Sequence, residues 1–281
     1  MLEQRQKNKD FRIMKTKITT YLLSMMVLLS SCTEIIQLDL NSANKQIVVE
    51  SGIGTDELAK VKLSETINID SSNEFPKVQN ATITITNDNG EQDTFEELEP
   101  GIYQSKVMKG EVGKTYNLKV VVGATIIEST CKIPPRVAFD SLKIEPAILP
   151  GGGPFGNTPN KLFQINLFYK DSANYANYYR VVLYKNGVLS KNNYVYNDKF
   201  NDGNPVETTV FISGAFPGDK MTVEFQCIDK AVYEYFNSNG DTSGGPPGAS
   251  SPANPYTNLT GGLLGYFSAN TVERRDIYVP Y

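Results

Sequence analysis

Residues 81–90 read ATITITNDNG. Strict alternation across Ala81 to Thr86 is the period of a strand with one buried face, because successive side chains leave a pleated strand on opposite sides. Asn87-Asp88-Asn89-Gly90 then marks a hairpin turn, since Asn and Gly both tolerate positive φ. A strand that turns back on itself so quickly implies antiparallel β structure, and the same grammar recurs on both sides of it.

Upstream lie two β-rich runs, QIVVE at 46–50 and KVKLS at 60–64. Downstream, Glu99-Pro100-Gly101 turns the chain into 102–106. YNLKVVV (116–122), a turn at Gly123 and the run 125–133 form a further hairpin, stopped by Pro134-Pro135. About seven short strands with regular turn signals predict an immunoglobulin-like β-sandwich over residues 45–135. The prediction concerns architecture alone, because the tryptophan and paired cysteines of antibody domains are missing.

Residues 136–160, which include Gly151-Gly152-Gly153-Pro154, read as a linker or loop. Strand patterns resume in LFQINLFY (162–169), YYRVVLY (178–184), 208–212 and MTVEFQCI (221–228), with Asn186-Gly187 as another hairpin turn. Asp229 can cap one short helix over 230–236, whose Ala231, Val232, Tyr235 and Phe236 share a face. A long Gly/Pro-rich loop is expected over 237–262, then an apolar run at 263–269 and a strand-like tail at 276–279. The predicted fold class is therefore all-β: an N-terminal immunoglobulin-like sandwich, then a second β-rich, sandwich-like domain over 161–281 with one short helix.

The N-terminus is read by different rules. Residues 14–32, MKTKITTYLLSMMVLLSSC, place Lys15 and Lys17 before an uncharged apolar stretch that ends in Leu29-Ser30-Ser31-Cys32. That is a secretory signal with a lipobox in place of an ordinary cleavage site. The stretch is shorter than the ~20 apolar residues of a spanning helix. Residues 1–31 are thus expected to be a signal peptide, with translation starting at Met14. Cys32 is the expected lipidation site, its thiol taking a diacylglyceryl group, and 32–44 is the tether. Multiple acyl chains such as palmitate make such anchoring stable, at about 0.8 kcal/mol per buried methylene. Thr33, in place of an aspartate after the cysteine, favours the outer membrane.

Composition narrows the function. The chain carries 27 Lys+Arg against 31 Asp+Glu; six of these bases and two of these acids precede Cys32, leaving 21 against 29 and a net charge of −8. With no basic stripe, no nucleic-acid partner is expected. The absence of histidine removes the commonest general base and metal ligand. With it go Ser-His-Asp and Cys-His catalysis and ordinary catalytic zinc sites. Cys131 and Cys227 sit in strand-like runs in separate predicted domains. Pairing in an oxidising compartment and burial as free thiols are both open to them.

The ordered set of lipobox, Ile47-Val48-Val49-Glu50, Pro100-Gly101-Ile102-Tyr103, Gly113-Lys114-Thr115-Tyr116, Asn177-Tyr178-Tyr179-Arg180, Asp198-Lys199-Phe200-Asn201-Asp202-Gly203, Asp229-Lys230-Ala231-Val232-Tyr233 and Leu264-Gly265-Tyr266-Phe267 resembles the DUF4249 lipoproteins of Bacteroidota. The likeness covers essentially the whole chain after Cys32. It implies an outer-membrane lipoprotein, often encoded beside TonB-dependent receptors, with an immunoglobulin-like domain followed by a second β-rich domain. It brings no catalytic residues.

Asp198, Asn201, Asp202 and Asn204 offer oxygens of the kind Ca²⁺ takes, with Asp198 and Asp202 as the carboxylate pair. The spacing departs from an EF-hand, and an Asx-rich loop bonding its own backbone explains it as well. Tyrosines crowd the second half, where β-propensity accounts for them without a ligand. Glu96, Glu97 and Glu99 read as a solvated face and not as a glycosidase pair. Asp140-Ser141-Leu142 and Asp171-Ser172-Ala173 match a short O-glycosylation acceptor pattern of Bacteroidota at Ser141 and Ser172.

The expectation is a non-enzymatic accessory or binding module on a membrane tether, with no metal and no cofactor, working beside a TonB-dependent transporter or envelope assembly. Three rivals stand beside it: a receptor capturing a glycan or peptide for import, a carboxylate-based hydrolase, and a structural or adhesive surface protein.

Overall fold

The computed structural model describes residues 45–55, 57–68, 74–147, 162–238 and 256–281. The expected signal peptide, Cys32, the expected tether, the glycine-rich part of the expected linker and most of the expected 237–262 loop lie outside these residues. The described chain is all-β and sandwich-like, with one short α-helix.

The first half supplies β1 (Ile47–Gly54), β2 (Leu58–Glu65), β3 (Thr82–Asn87), β4 (Gln92–Glu99), β5 (Ile102–Lys109), β6 (Thr115–Val122) and β7 (Thr125–Lys132). The second supplies β8 (Phe139–Pro146), β9 (Leu162–Lys170), β10 (Tyr178–Lys185), β11 (Val188–Leu189), β12 (Tyr194–Asn197), β13 (Pro205–Ser213), β14 (Lys220–Ile228), α1 (Lys230–Ser238) and β15 (Leu264–Tyr278).

In the first half β4 changes sheets. Its Gln92–Thr94 end pairs with β3, and its Phe95–Glu99 end pairs with β5. One layer is therefore β1-β2-β5-β4 and the other β4-β3-β6-β7, with Ile53, Val61 and Leu63 packed with Ile85, Leu118 and Val120 in one core. The 81–90 hairpin forms as read, but only Gly90 adopts positive φ. Asn87 holds the turn through its side chain, whose Oδ1 accepts from the N–H groups of Asn89 and Glu91 at 3.0 Å each. Asn186 and Gly187 do both take positive φ, at 50° and 81°, in the two-residue turn between β10 and β11.

In the second half β13-β9-β8 faces the sheet that holds β10, β14 and the end of β15. Its core is aromatic: Phe139, Tyr169, Tyr179 and Phe225 are all buried, with ring centroids 4.9–5.7 Å apart in the contacting pairs.

Two expectations are corrected. Residues 139–146 are not linker: they form β8, paired with β9, because Phe139, Leu142 and Ile144 turn apolar side chains to the second core. The apolar run at 263–269 and the tail at 276–279 are one strand of 15 residues, β15. Its first part pairs parallel with β1 and its second part antiparallel with β14. A single sheet path thereby runs through both halves, and Phe267 and Ala269 at the end of the chain complete the first core. This junction requires Gly265, at φ 110°: a Cβ there would lie 1.9 Å from the Val49 carbonyl oxygen.

The helix forms where expected, and Asp229 Oδ1 accepts from Val232 N at 2.9 Å as its cap. Of the 237–262 loop, the described end is built in. Asn258 exchanges two side-chain hydrogen bonds with the Phe267 backbone, its carbonyl accepts from Ser129 Oγ, and Leu259 is buried. Among the described residues no helix is long and apolar enough to cross a membrane.

Candidate functional site

Met221, Val223, Phe225 and Cys227 of β14 and Phe267 and Ala269 of β15 face the cores, so the residues between them, Glu224, Gln226 and Ser268 among them, face away. On that outer face the continuous sheet bears a groove of about 290 Å³, lined by residues of β1, β2, β10, β14 and β15. Gly52 and Gly54 on β1 leave part of its floor without side chains, while polar and apolar residues, among them Val61, Ile102 and Val272, line the rest. A Cβ at Gly52 would meet nothing nearer than the Ser268 carbonyl oxygen at 3.8 Å.

The charges here are mostly paired. Arg274 donates from Nε to Glu224 Oε2 at 2.7 Å and from Nη2 to Glu57 Oε1 at 2.8 Å. Glu224 is only 4 % exposed, and a carboxylate so far from water needs this partner. Burial works against the Arg274 charge, but the two carboxylates more than offset it and hold the guanidinium pKa above its usual value. Across the groove Lys62 meets Glu50 at 2.5 Å. Ser268 Oγ donates to Asn270 Oδ1 at 3.0 Å, tying two more polar groups together.

Arg180 and Gln226 differ from these. They face each other in the β10–β14 register. Arg180 lies 3.9 Å over the Phe236 ring and donates from Nη2 to Asn193 Oδ1 at 2.9 Å. Gln226 Nε2 donates to Glu224 Oε1. Yet Arg180 Nε and Gln226 Oε1 are both buried with no hydrogen-bond partner. Leaving such an atom unpaired costs about 1–3 kcal/mol, and both residues line the same groove. Helix α1 closes this end: Phe236 and Tyr235 pack on the Tyr266 ring at 4.9 and 4.8 Å. Burial pushes the Tyr266 hydroxyl pKa up, with Arg180 opposing it.

The sequence-derived candidates lie elsewhere. Asp198 and Asp202 are brought together, joined by Asp171, with carboxylate oxygens of all three within 4.8 Å of one another. Each also accepts a backbone N–H: Asp198 from Asn177, Asp202 from Asn174, and Asp171 from Gly203. These bonds stitch the 171–177 and 198–204 segments together, which is the loop-building use of Asx side chains. Ser141 is exposed on β8, and Ser172 is half-buried beside Asn177, whose side chain donates to the Ser172 carbonyl. Glu97 is more than a solvated carboxylate. Its two oxygens accept from Asn80 N and Gly101 N at 3.0 Å, which holds its pKa below the usual range. Cys131 and Cys227 are free, buried thiols in separate cores.

Arg180, Glu224 and Gln226 were passed over in the sequence because strand patterns are read for their apolar residues. The available signal was the reverse, charged or amide side chains set inside otherwise apolar YYRVVLY and MTVEFQCI.

Fold and groove together define an all-β protein with a groove on the outer face of a sheet shared by two sandwiches. Residues 33–276 match the family model described as "Domain of unknown function (DUF4249)", and the chain belongs to that family. No curated protein matches it.

Proposed function

We propose that this chain is an outer-membrane lipoprotein, anchored through Cys32, that serves as a non-enzymatic recognition module beside a TonB-dependent transporter or another envelope assembly. The observation that carries the recognition role is the groove with its two unpartnered buried atoms, Arg180 Nε and Gln226 Oε1. Preformed concave sites with a few convergent polar groups are what ligand-binding proteins present. The envelope address is supported by the lipobox at 29–32 and by the family resemblance.

The groove favours binding over hydrolysis. Glu224 and Glu57 are clamped by one guanidinium, and Glu50 by Lys62, so these carboxylates are committed to ion pairs and not to proton transfer. Among the rivals, a receptor that captures a ligand for import gains most from this geometry.

The test is purification of tagged full-length chain from detergent-solubilised membranes, alongside Cys32→Ser. The native chain is expected in the membrane fraction with an outer-membrane partner, and the variant in the soluble fraction. Equal membrane association of the two, or a chain that always purifies alone, would sink the reading.

A further inference from the structure

Arg180 Nε is a donor and Gln226 Oε1 an acceptor, and the two residues are direct cross-strand partners on the groove face. Gln226 is only 7 % exposed and lines the groove. Its amide cannot be turned around to relieve the acceptor, because Nε2 already donates to Glu224 and the reverse orientation would set two acceptor oxygens against each other. Nor can Arg180 easily turn away, held as it is between Phe236 and Asn193.

The missing partner must accept from one atom and donate to its neighbour. A carboxylate or phosphate satisfies Arg180 but offers another acceptor to Gln226 Oε1 and adds charge beside Glu224. An ammonium satisfies Gln226 but confronts the guanidinium. A hydroxyl both donates and accepts, and neighbouring hydroxyls repeat the pattern without net charge. Beyond this pair, Lys60 and Tyr266 also line the groove, while Ser268 and Asn270 are bonded to each other and Glu50 to Lys62. We propose that the groove binds a neutral, polyhydroxylated ligand, a sugar of one or two rings, with one hydroxyl oxygen accepting from Arg180 Nε and a hydroxyl proton donated to Gln226 Oε1. A volume of about 290 Å³ suits a ligand of that size. The assignment rests on the reading of the chain as a recognition module and gives that module its ligand class.

The experiment is ligand-observed NMR and calorimetry on the purified full-length chain. The probes are glucose, galactose, N-acetylglucosamine and maltose, with acetate, phosphate, glycine and acetamide as comparators. Saturable binding of at least one sugar is expected. Gln226→Met, which removes the acceptor and keeps the shape, is expected to weaken it at least about tenfold; because it also takes a donor from buried Glu224, its circular dichroism is read alongside to show it folded at the assay temperature. Arg180→Lys, which keeps the charge and loses Nε, is expected to weaken it similarly. The proposal is overturned if no sugar binds, if only the comparators bind, if Gln226→Met binds sugar as well as the native chain, or if a crystal soaked in the sugars holds only a water bridging the two atoms. Those results leave the membrane anchoring and partner test untouched, whereas sugar binding by a chain with no membrane partner would remove the accessory reading and keep the site.

Discussion

The Tyr179 hydroxyl donates to Asp171 Oδ1 inside the second core, where Tyr179 is 1 % and Asp171 3 % exposed. Burial, then the hydrogen bond to Asp171 and the charge it carries, push the Tyr179 pKa far above its usual value, so the hydroxyl stays a donor at every physiological pH. The other Asp171 oxygen accepts from Gly203 N at 2.9 Å, so one carboxylate joins the β9 end, β10 and the 198–204 turn. Tyr179→Phe strips a donor from a buried carboxylate and keeps the ring packing. A loss of about 1–3 kcal/mol is expected in urea unfolding, and an unchanged midpoint would show that the bond does not matter.

Gly265→Ala is expected to be far worse than Gly52→Ala, though both glycines lie in the β1–β15 region. At 265 the new methyl would collide with the Val49 backbone at a φ of 110°; at 52 it would sit at ordinary van der Waals distance. Thermal melts of the two variants check this. Gly265→Ala should lose more than about 2 kcal/mol or fail to fold, whereas Gly52→Ala should stay near the native midpoint. The reverse ranking would contradict the parallel pairing of β1 with β15.

Phe267 is fully buried in the first core, although nearly the whole chain separates it from β1. Phe267→Ala should cost about 3–5 kcal/mol. In hydrogen exchange the added opening should appear in β1 and β2 as well as in β15. Exchange confined to the second half would mean that the first sandwich does not depend on the last strand.

Asp93 governs part of the acid sensitivity. Burial raises its pKa, but hydrogen bonds from Val107 N, Met108 N and Thr94 N more than reverse this, leaving the folded value below the ordinary 3.8. A carboxyl whose folded pKa is depressed stabilises the fold above its unfolded pKa and loses that contribution as pH falls through the folded value. Asp93→Asn should therefore be less stable than the native chain near neutrality. The gap should narrow below a pH of about 3.8. Thermal midpoints followed from neutral to acid pH test it, and a constant difference would assign the effect to shape alone.

Thiol counting tests both the cores and the anchor. Burial and the neighbouring Asp229 raise the Cys131 pKa well above normal, and burial raises that of Cys227. Neither should react with a disulfide reagent in the native state. On unfolding, two of the three cysteines should react if Cys32 carries lipid. Three reactive thiols would mean that Cys32 is unmodified, and fast native reaction would contradict the burial.

Residues close together in the chain carried most of the strand content into view. Alternation at 81–86, Asn186-Gly187 and the Asp229 cap each act within a few residues, so propensity and turn chemistry determine them locally. Pairing over long separations decided the rest. Nothing near residues 264–270 announces that they complete a sandwich begun at Ile47, since a parallel ladder leaves no turn signal in the sequence. The same holds for the groove. Arg180, Gln226 and Gly52 are far apart in the chain and unremarkable singly. They form a site because strand register sets their side chains on one face, and register is a property of the assembled sheet.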